Sequence, residues 1–201
     1  MTGPVGRDAV PPGTRETLLV VCRANLIRSP WAAGLLRQRL AAGGGPTHEV
    51  ASAGLHADEG ARPDADTVAL GGEWGLDLTT HVARPATAGV VAGASLVLTM
   101  TEEQRSGVVR LAPSLTGRTF TLLELVRLLA AEEVSAPVTG GPLDGCLADL
   151  ATRAHRRRPL VAGAAAPEDV PDPVGRGTAE LREVAGRLAR ACDRLTGVAG
   201  P

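Results

Sequence analysis

Four consecutive apolar residues, LLVV at 18–21, run straight into Cys22 and then into RANLIRSP, and no other stretch constrains the chain as tightly. A short, partly β-branched run that is apolar at every position has no polar face to turn toward water. It therefore belongs to a strand covered on both sides, the pattern of a parallel sheet. The pattern then changes at once. Ser29 can cap a helix, Pro30 suits a first helical position, and Leu35, Leu36 and Leu40 mark a buried stripe ending at Gly43, Gly44 and Gly45. A strand that hands a cysteine to a tight loop and then to a helix start also fixes where chemistry belongs.

The same alternation continues along the chain. Strands are expected at 48–52, 94–100 and 118–122, and helices at 65–74 and 102–111, with a further helical pattern in LLELVRLLAAE. A helix over 143–158 keeps Leu143, Leu147 and Leu150 on one side and ends in the basic cluster RAHRRR, read as a solvated helix end. The last helix begins after Pro173 and carries Leu181, Val184, Ala185, Leu188 and Cys192 on one stripe. This predicts an α/β fold: three α/β/α layers around a central four-stranded parallel sheet, with ligands beyond the carboxyl ends of the strands. Residues 1–13, with three prolines and three glycines and no periodicity, read as a disordered leader before one domain over 14–197. Residues 160–168 read as an alanine-rich linker.

Composition excludes several function classes. The formal net charge of −1 gives no overall field toward nucleic acid or an anionic membrane, so neither is expected as a partner. All 21 basic residues are arginine, so arginine count by itself carries little meaning. The three cysteines, Cys22, Cys146 and Cys192, are scattered without a CxxC pair or histidines at ligand spacing; no metal, cofactor or disulfide framework is expected. No apolar run approaches membrane-spanning length, and a reducing, cytoplasmic setting is expected. The oligomeric state is not legible.

Cys22 and Arg28 enclose five residues, Arg23, Ala24, Asn25, Leu26 and Ile27. A loop of that size between strand and helix can wrap one tetrahedral anion with its backbone N–H groups and the positive end of the helix dipole. The same N–H groups, with Arg28 as a planar bidentate donor, favour a nucleophilic thiolate at Cys22. Asn25 tolerates a left-handed backbone and can tie the loop with its amide, and Ser29 can donate to the sulfur. In a chain with 21 arginines the cysteine–arginine spacing alone is weak evidence, and the strand before it and the helix start after it are what make it specific. Leaving-group departure needs an acid. EDVPDPVGRG offers Asp172 between two prolines, although an Asp-Pro pair is also an ordinary helix start.

VCRANLIRSPWA resembles the active-site signature of the low-molecular-weight protein tyrosine phosphatases, and ASAGL, LTTHVARPAT, LVLTM and VPDPVGRG extend the likeness over most of 17–195. The resemblance implies a metal-independent phosphomonoesterase that hydrolyses phosphotyrosine or a related phosphate ester through a phosphocysteine. It implies Cys22 as nucleophile, Arg28 and the loop 23–27 with Ser29 as phosphate binders, Asp172 as acid and then base, and Asn25, Ser29, Ser52 and His81 as a supporting network. Residues 132–166 fit a variable helical segment and linker of actinobacterial-type members.

Departures from that pattern qualify the substrate. Ala24 replaces the family's loop glycine, which is costly only if that position has a positive φ. Ile27 replaces a second loop cysteine. Val174 and Gly175 stand where relatives place aromatic rings, the loop 54–60 has none, and tyrosine is absent from the chain. Trp31 is expected to pack rather than to wall the cleft. The expected partner is a phosphorylated protein or a small phosphate ester; a phosphate-binding module without efficient turnover and an arsenate reductase are the alternatives.

Overall fold

The structure, a computed structural model, describes residues 15–44, 48–130, 141–161 and 169–198. Its centre is a four-stranded sheet in the order β2-β1-β3-β4, with β1 at Thr17–Cys22, β2 at Glu49–Gly54, β3 at Leu96–Thr99 and β4 at Thr119–Thr121. Each neighbouring pair is parallel, and the register sets Cys22 opposite Gly54 and Val21 opposite Thr99. The expected α/β/α sheet with its four parallel strands is what the chain forms.

The apolar run of β1 is divided between two cores. Leu18, Val20 and Cys22 face one cluster, with Trp31, Leu35 and Leu36 of α1 (Arg28–Ala42) and Leu181, Val184 and Leu188 of α7 (Gly177–Thr196). Leu19 and Val21 face the other, with Val91 of α3 (Ala88–Ala92), Val108 of α4 (Glu102–Leu111) and Leu115. The period of two along a strand, with apolar neighbours above and below, is why no polar residue interrupts 18–21. The first layer also takes Leu70 of α2 (Ala65–Glu73), Leu125 and Leu128 of α5 (Leu122–Ala130), and Leu147 and Leu150 of α6 (Leu147–Arg157). Trp31 is buried edge-on against Trp74, ring centroids 6.1 Å apart, so it is a packing residue.

Some boundaries differ from the sequence expectation. α1 starts at Arg28 with Ile27 at the N-cap, not at Ser29, because the Ser29 hydroxyl is turned to the cysteine and to Asn25. The helix expected over 143–158 begins only at Leu147, after a 3₁₀ turn at Pro142–Asp144; Glu16 accepts from the N–H groups of Leu147 and Ala148 and so caps it from the start of β1. The basic helix end is also only partly solvated. Arg158 lies over the Phe120 ring, 4.2 Å from its centroid, and pairs with Glu124 at 2.7 Å. The expected leader at 1–13 and most of the linker at 160–168 fall outside the described residues.

Candidate active site

Cys22 ends β1, 2% exposed, where the sheet stops and α1 has not yet begun. Four carbonyls along the loop are taken by donors from outside it. Cys22 O accepts from Leu55 N at 3.0 Å, Arg23 O from His56 N at 2.8 Å, and Ile27 O from Trp31 N at 3.1 Å. Asn25 O accepts from His81 Nε2 at 2.7 Å. In a planar trans peptide the N–H points opposite to the C=O, so the amides that follow these carbonyls turn to the concave side. Asn25 N–H is directed at Cys22 Sγ, 3.3 Å away, and Ser29 Oγ lies 3.1 Å from the same sulfur. Donors gathered in this way can receive an anion seated above the sulfur.

Asn25 holds the loop in shape. Its φ of 56° is the one positive value at a non-glycine among the described residues, so Ala24 does not need the freedom of glycine. The Asn25 side chain is fully buried. Its Nδ2 donates to Ser29 Oγ and to Ser52 Oγ, both at 2.9 Å, and its Oδ1 accepts from Arg84 N at 3.1 Å. Three strands of backbone, 25–29, 52–54 and 81–84, are thus tied through one amide.

Arg28 is buried at the helix start, and its guanidinium meets the segment before α7. Nη1 donates to Val170 O at 3.0 Å and Nη2 to Asp172 Oδ2 at 2.5 Å. That segment is pinned in turn: Val170 N–H donates to Met100 O at 2.8 Å at the end of β3, and Asp169 Oδ1 accepts from Glu102 N at 2.9 Å. The Asp172 side chain is 39% exposed, with Oδ1 toward Val174 N at 3.3 Å. The candidate residues Cys22, Asn25, Arg28, Ser29, Ser52, His81 and Asp172 therefore form one connected site. Arg23 points to solvent, Ala24 and Leu26 are half-buried, and Ile27 is buried in the core.

Two supporting residues lie inside the stretches ASAGL and LTTHVARPAT but lack a local signal. A Cβ on Gly54 would stand 2.7 Å from Arg23 O and 2.8 Å from Asn25 N, so the loop can sit against β2 only because that residue is glycine. Arg84 holds Asn25 through its N–H, and its Nε donates to Ser52 O at 2.8 Å.

A strand–loop–helix cradle built on a buried cysteine, with a carboxyl brought in from the far end of the chain, defines a cysteine-based phosphate-ester site on a parallel α/β sheet. Residues 17–157 match the family model described as low molecular weight phosphotyrosine protein phosphatase, and the chain belongs to that family. The match stops short of Asp172. The chain is 35% identical over 124 residues to the probable low molecular weight protein-tyrosine-phosphatase EpsP of Ralstonia nicotianae, covering 62% of this chain and 82% of that one. It is also 35% identical over 105 residues to Etp of Escherichia coli, covering 52% and 68%. Among solved structures, the Erwinia amylovora tyrosine phosphatase AmsI shares the fold with a TM-score of 0.63 at 24% identity, over 93% of this chain and 95% of that one. The YwlE arginine phosphatase of Geobacillus stearothermophilus aligns with a TM-score of 0.63 at 25% identity over 90% of each chain.

Proposed function

We propose that the protein hydrolyses phosphotyrosine or a related phosphate monoester without a metal, with Cys22 as nucleophile, Arg28 and the loop amides as phosphate binders, and Asp172 as acid and base. The observation that carries this is the meeting of Arg28 and Asp172, since it puts a carboxyl at the rim of the loop that holds the sulfur. Cys22 Sγ attacks phosphorus as the bond to the leaving oxygen breaks, and Asp172 gives its proton to that oxygen. Water then attacks the phosphocysteine, Asp172 takes the water's proton, the P–S bond breaks, and phosphate leaves with the thiolate restored. Arg28 and the amides meet the charge that grows on the equatorial oxygens.

The phosphate dianion and Asp172 share one guanidinium. A bound dianion therefore competes with the Asp172 carboxylate for Arg28. We treat residues 14–197 as one catalytic domain working in a reducing, cytoplasmic setting, where its nucleophile stays a thiol. No described helix is long and apolar enough to cross a membrane.

Protein phosphotyrosine is the favoured substrate because relatives are named for it, yet the mouth lacks a ring to stack on. Phe120 and Trp31 are buried, and Val174, after the acid, is exposed. The deciding experiment is hydrolysis of p-nitrophenyl phosphate and of phosphotyrosine and phosphoarginine peptides in excess chelator, with acid-quench mass spectrometry of Cys22. Turnover with a phosphate adduct on Cys22, abolished in Cys22→Ser, is expected. Turnover that persists in Cys22→Ser would dismiss the proposal. Peptide binding without turnover would identify a phosphate-binding module instead.

A further inference from the structure

A second, polar cleft of about 210 Å³ opens beside the catalytic loop, lined by Arg23, Leu55, His56, Glu103, Gln104 and Arg110. Arg23 follows the nucleophile directly. The cleft floor is tied to the loop, because Leu55 and His56 are the residues whose N–H groups hold the carbonyls of Cys22 and Arg23. The far wall is α4, which approaches closely: a Cβ on Gly107 would fall 2.8 Å from Leu55 Cδ1. That same point lies 3.7 Å from Arg110 Nη2, so the guanidinium of Arg110 folds back over the glycine toward the cleft.

The lining is rich in uncommitted donors. Arg23 and Arg110 are exposed, and neither guanidinium has a hydrogen bond or ion pair with another described residue. Arg105 on the same helix, in contrast, is neutralised by Glu102 at 2.5 Å. Gln104 Oε1 is occupied by Met100 N–H at 3.1 Å, which leaves its NH₂ as the free end. Glu103 is the one carboxylate in the lining, so the two arginines give the cleft a positive balance.

We propose that this cleft is a subsite for a second anionic group of the substrate, a carboxylate or phosphate flanking the scissile phosphomonoester, so that acidic phosphopeptides are preferred. The inference rests on the phosphatase reading above. An extended peptide advances about 3.3 Å per residue, so the residues flanking the phosphorylated one leave the loop past Arg23, the immediate neighbour of Cys22 in the chain and a member of the cleft lining. Two charged donors in a half-open cleft give discrimination of several-fold that salt weakens.

The test compares kcat/KM for phosphotyrosine peptides flanked by glutamate, by phosphoserine or by alanine, with p-nitrophenyl phosphate as a substrate too small to span the cleft. Glutamate or phosphoserine peptides are expected to exceed the alanine peptide by about three- to tenfold at low salt, and which of them does so names the anion. Arg110→Glu should abolish or reverse that preference while leaving p-nitrophenyl phosphate turnover unchanged, and Glu103→Gln should enlarge it. Equal rates for all three peptides, or a preference that survives Arg110→Glu, overturns the subsite. Should p-nitrophenyl phosphate not be hydrolysed at all, the phosphatase reading falls, and the subsite is judged by peptide binding to Cys22→Ser with and without Arg110→Glu. Acid-dependent binding lost with Arg110 supports it, and binding indifferent to flanking charge refutes it.

Discussion

Arg28 and Asp172, 144 residues apart in sequence, close on each other at 2.5 Å, and the same guanidinium holds Val170 O at 3.0 Å. On the proposed assignment, the loop that receives the dianion has its main cation engaged by the acid. Substrate and Asp172 would then compete for Arg28, coupling phosphate affinity to protonation of the leaving group through one side chain.

Asp172→Asn should separate the two effects. Loss of a general acid lowers kcat by about 10²–10⁴-fold on phenyl phosphate, whose leaving group is poor, and by less on p-nitrophenyl phosphate. Because Asn competes more weakly for Arg28 and carries no charge, the inhibition constant for inorganic phosphate should fall in the same variant. Steady-state kinetics with product inhibition measure both. A weaker phosphate affinity would show that Asp172 supports the binding form of Arg28 rather than opposing it.

The Asn25 network makes a stability prediction with an internal control. Asn25→Ala removes hydrogen bonds to Ser29, Ser52 and Arg84, each worth about 1 kcal/mol. It also places alanine at φ 56°, adding about 1 kcal/mol of strain. Asn25→Gly loses the same bonds without the strain. Urea unfolding should rank wild type above the glycine variant and the glycine above the alanine variant, with the last two about 1 kcal/mol apart; the reverse order would mean that the left-handed turn is not retained.

Gly54→Ala should be more damaging than its chemistry suggests, since the new methyl would fall 2.7–2.8 Å from backbone atoms of Arg23, Ala24 and Asn25. The loop must shift away from β2 by several tenths of an ångström, which is enough to misplace oxyanion donors. Loss of kcat/KM by at least about tenfold with the overall fold retained by circular dichroism is expected. Unchanged kinetics would mean that the loop has room to spare.

What could be read from the sequence and what could not divides along the range of the interaction. The strand into Cys22, the left-handed Asn25 and the Asp-Pro pair carry local signatures: a period, a φ preference and a proline-fixed backbone. α3 at Ala88–Ala92 went unseen because five small residues show no stripe. Arg84 was invisible for a different reason: in a chain where all 21 basic residues are arginine, one more carries no signal, and only the fold brings its N–H to Asn25. The need for glycine at 54 likewise exists only once residues 23–25 lie against it. The helix starting at Arg28 rather than Ser29 follows from a tertiary demand, since the Ser29 hydroxyl is already spent on the sulfur.

Oxidation should be poorly reversible. Ile27 fills the position next to Arg28, Cys192 is buried, and Cys146 sits beside Glu16, at the opposite end of β1 from Cys22. A strand rising about 3.3 Å per residue puts those ends roughly 20 Å apart, far beyond disulfide reach. Peroxide is therefore expected to carry Cys22 from sulfenic to sulfinic acid, with incomplete recovery of activity by dithiothreitol. Ile27→Cys should restore recovery, read as a 22–27 disulfide by mass spectrometry. Full recovery in the wild type would show that another thiol reaches the loop.

The chain's composition makes its alkaline stability unusually easy to interpret. It has no tyrosine and no lysine, so few groups other than the thiols titrate between pH 9 and the arginine range. Cys192 is wholly buried on α7, and burial pushes its thiol from 9.0 up to about 12. An acid whose folded value is raised binds its proton more tightly in the native state. Stability from this thiol is therefore complete below pH 9 and is lost as the unfolded chain, but not the folded one, ionises between pH 9 and about 12. The free energy of unfolding should fall with a slope approaching about 1.4 kcal/mol per pH unit in that window. Cys192→Val puts an apolar group of similar size against Ala32 and removes the titration, so its pH profile should be flatter by that slope even if its stability at pH 7 is slightly lower. Parallel profiles for the two proteins would show that Cys192 ionises without unfolding the helix.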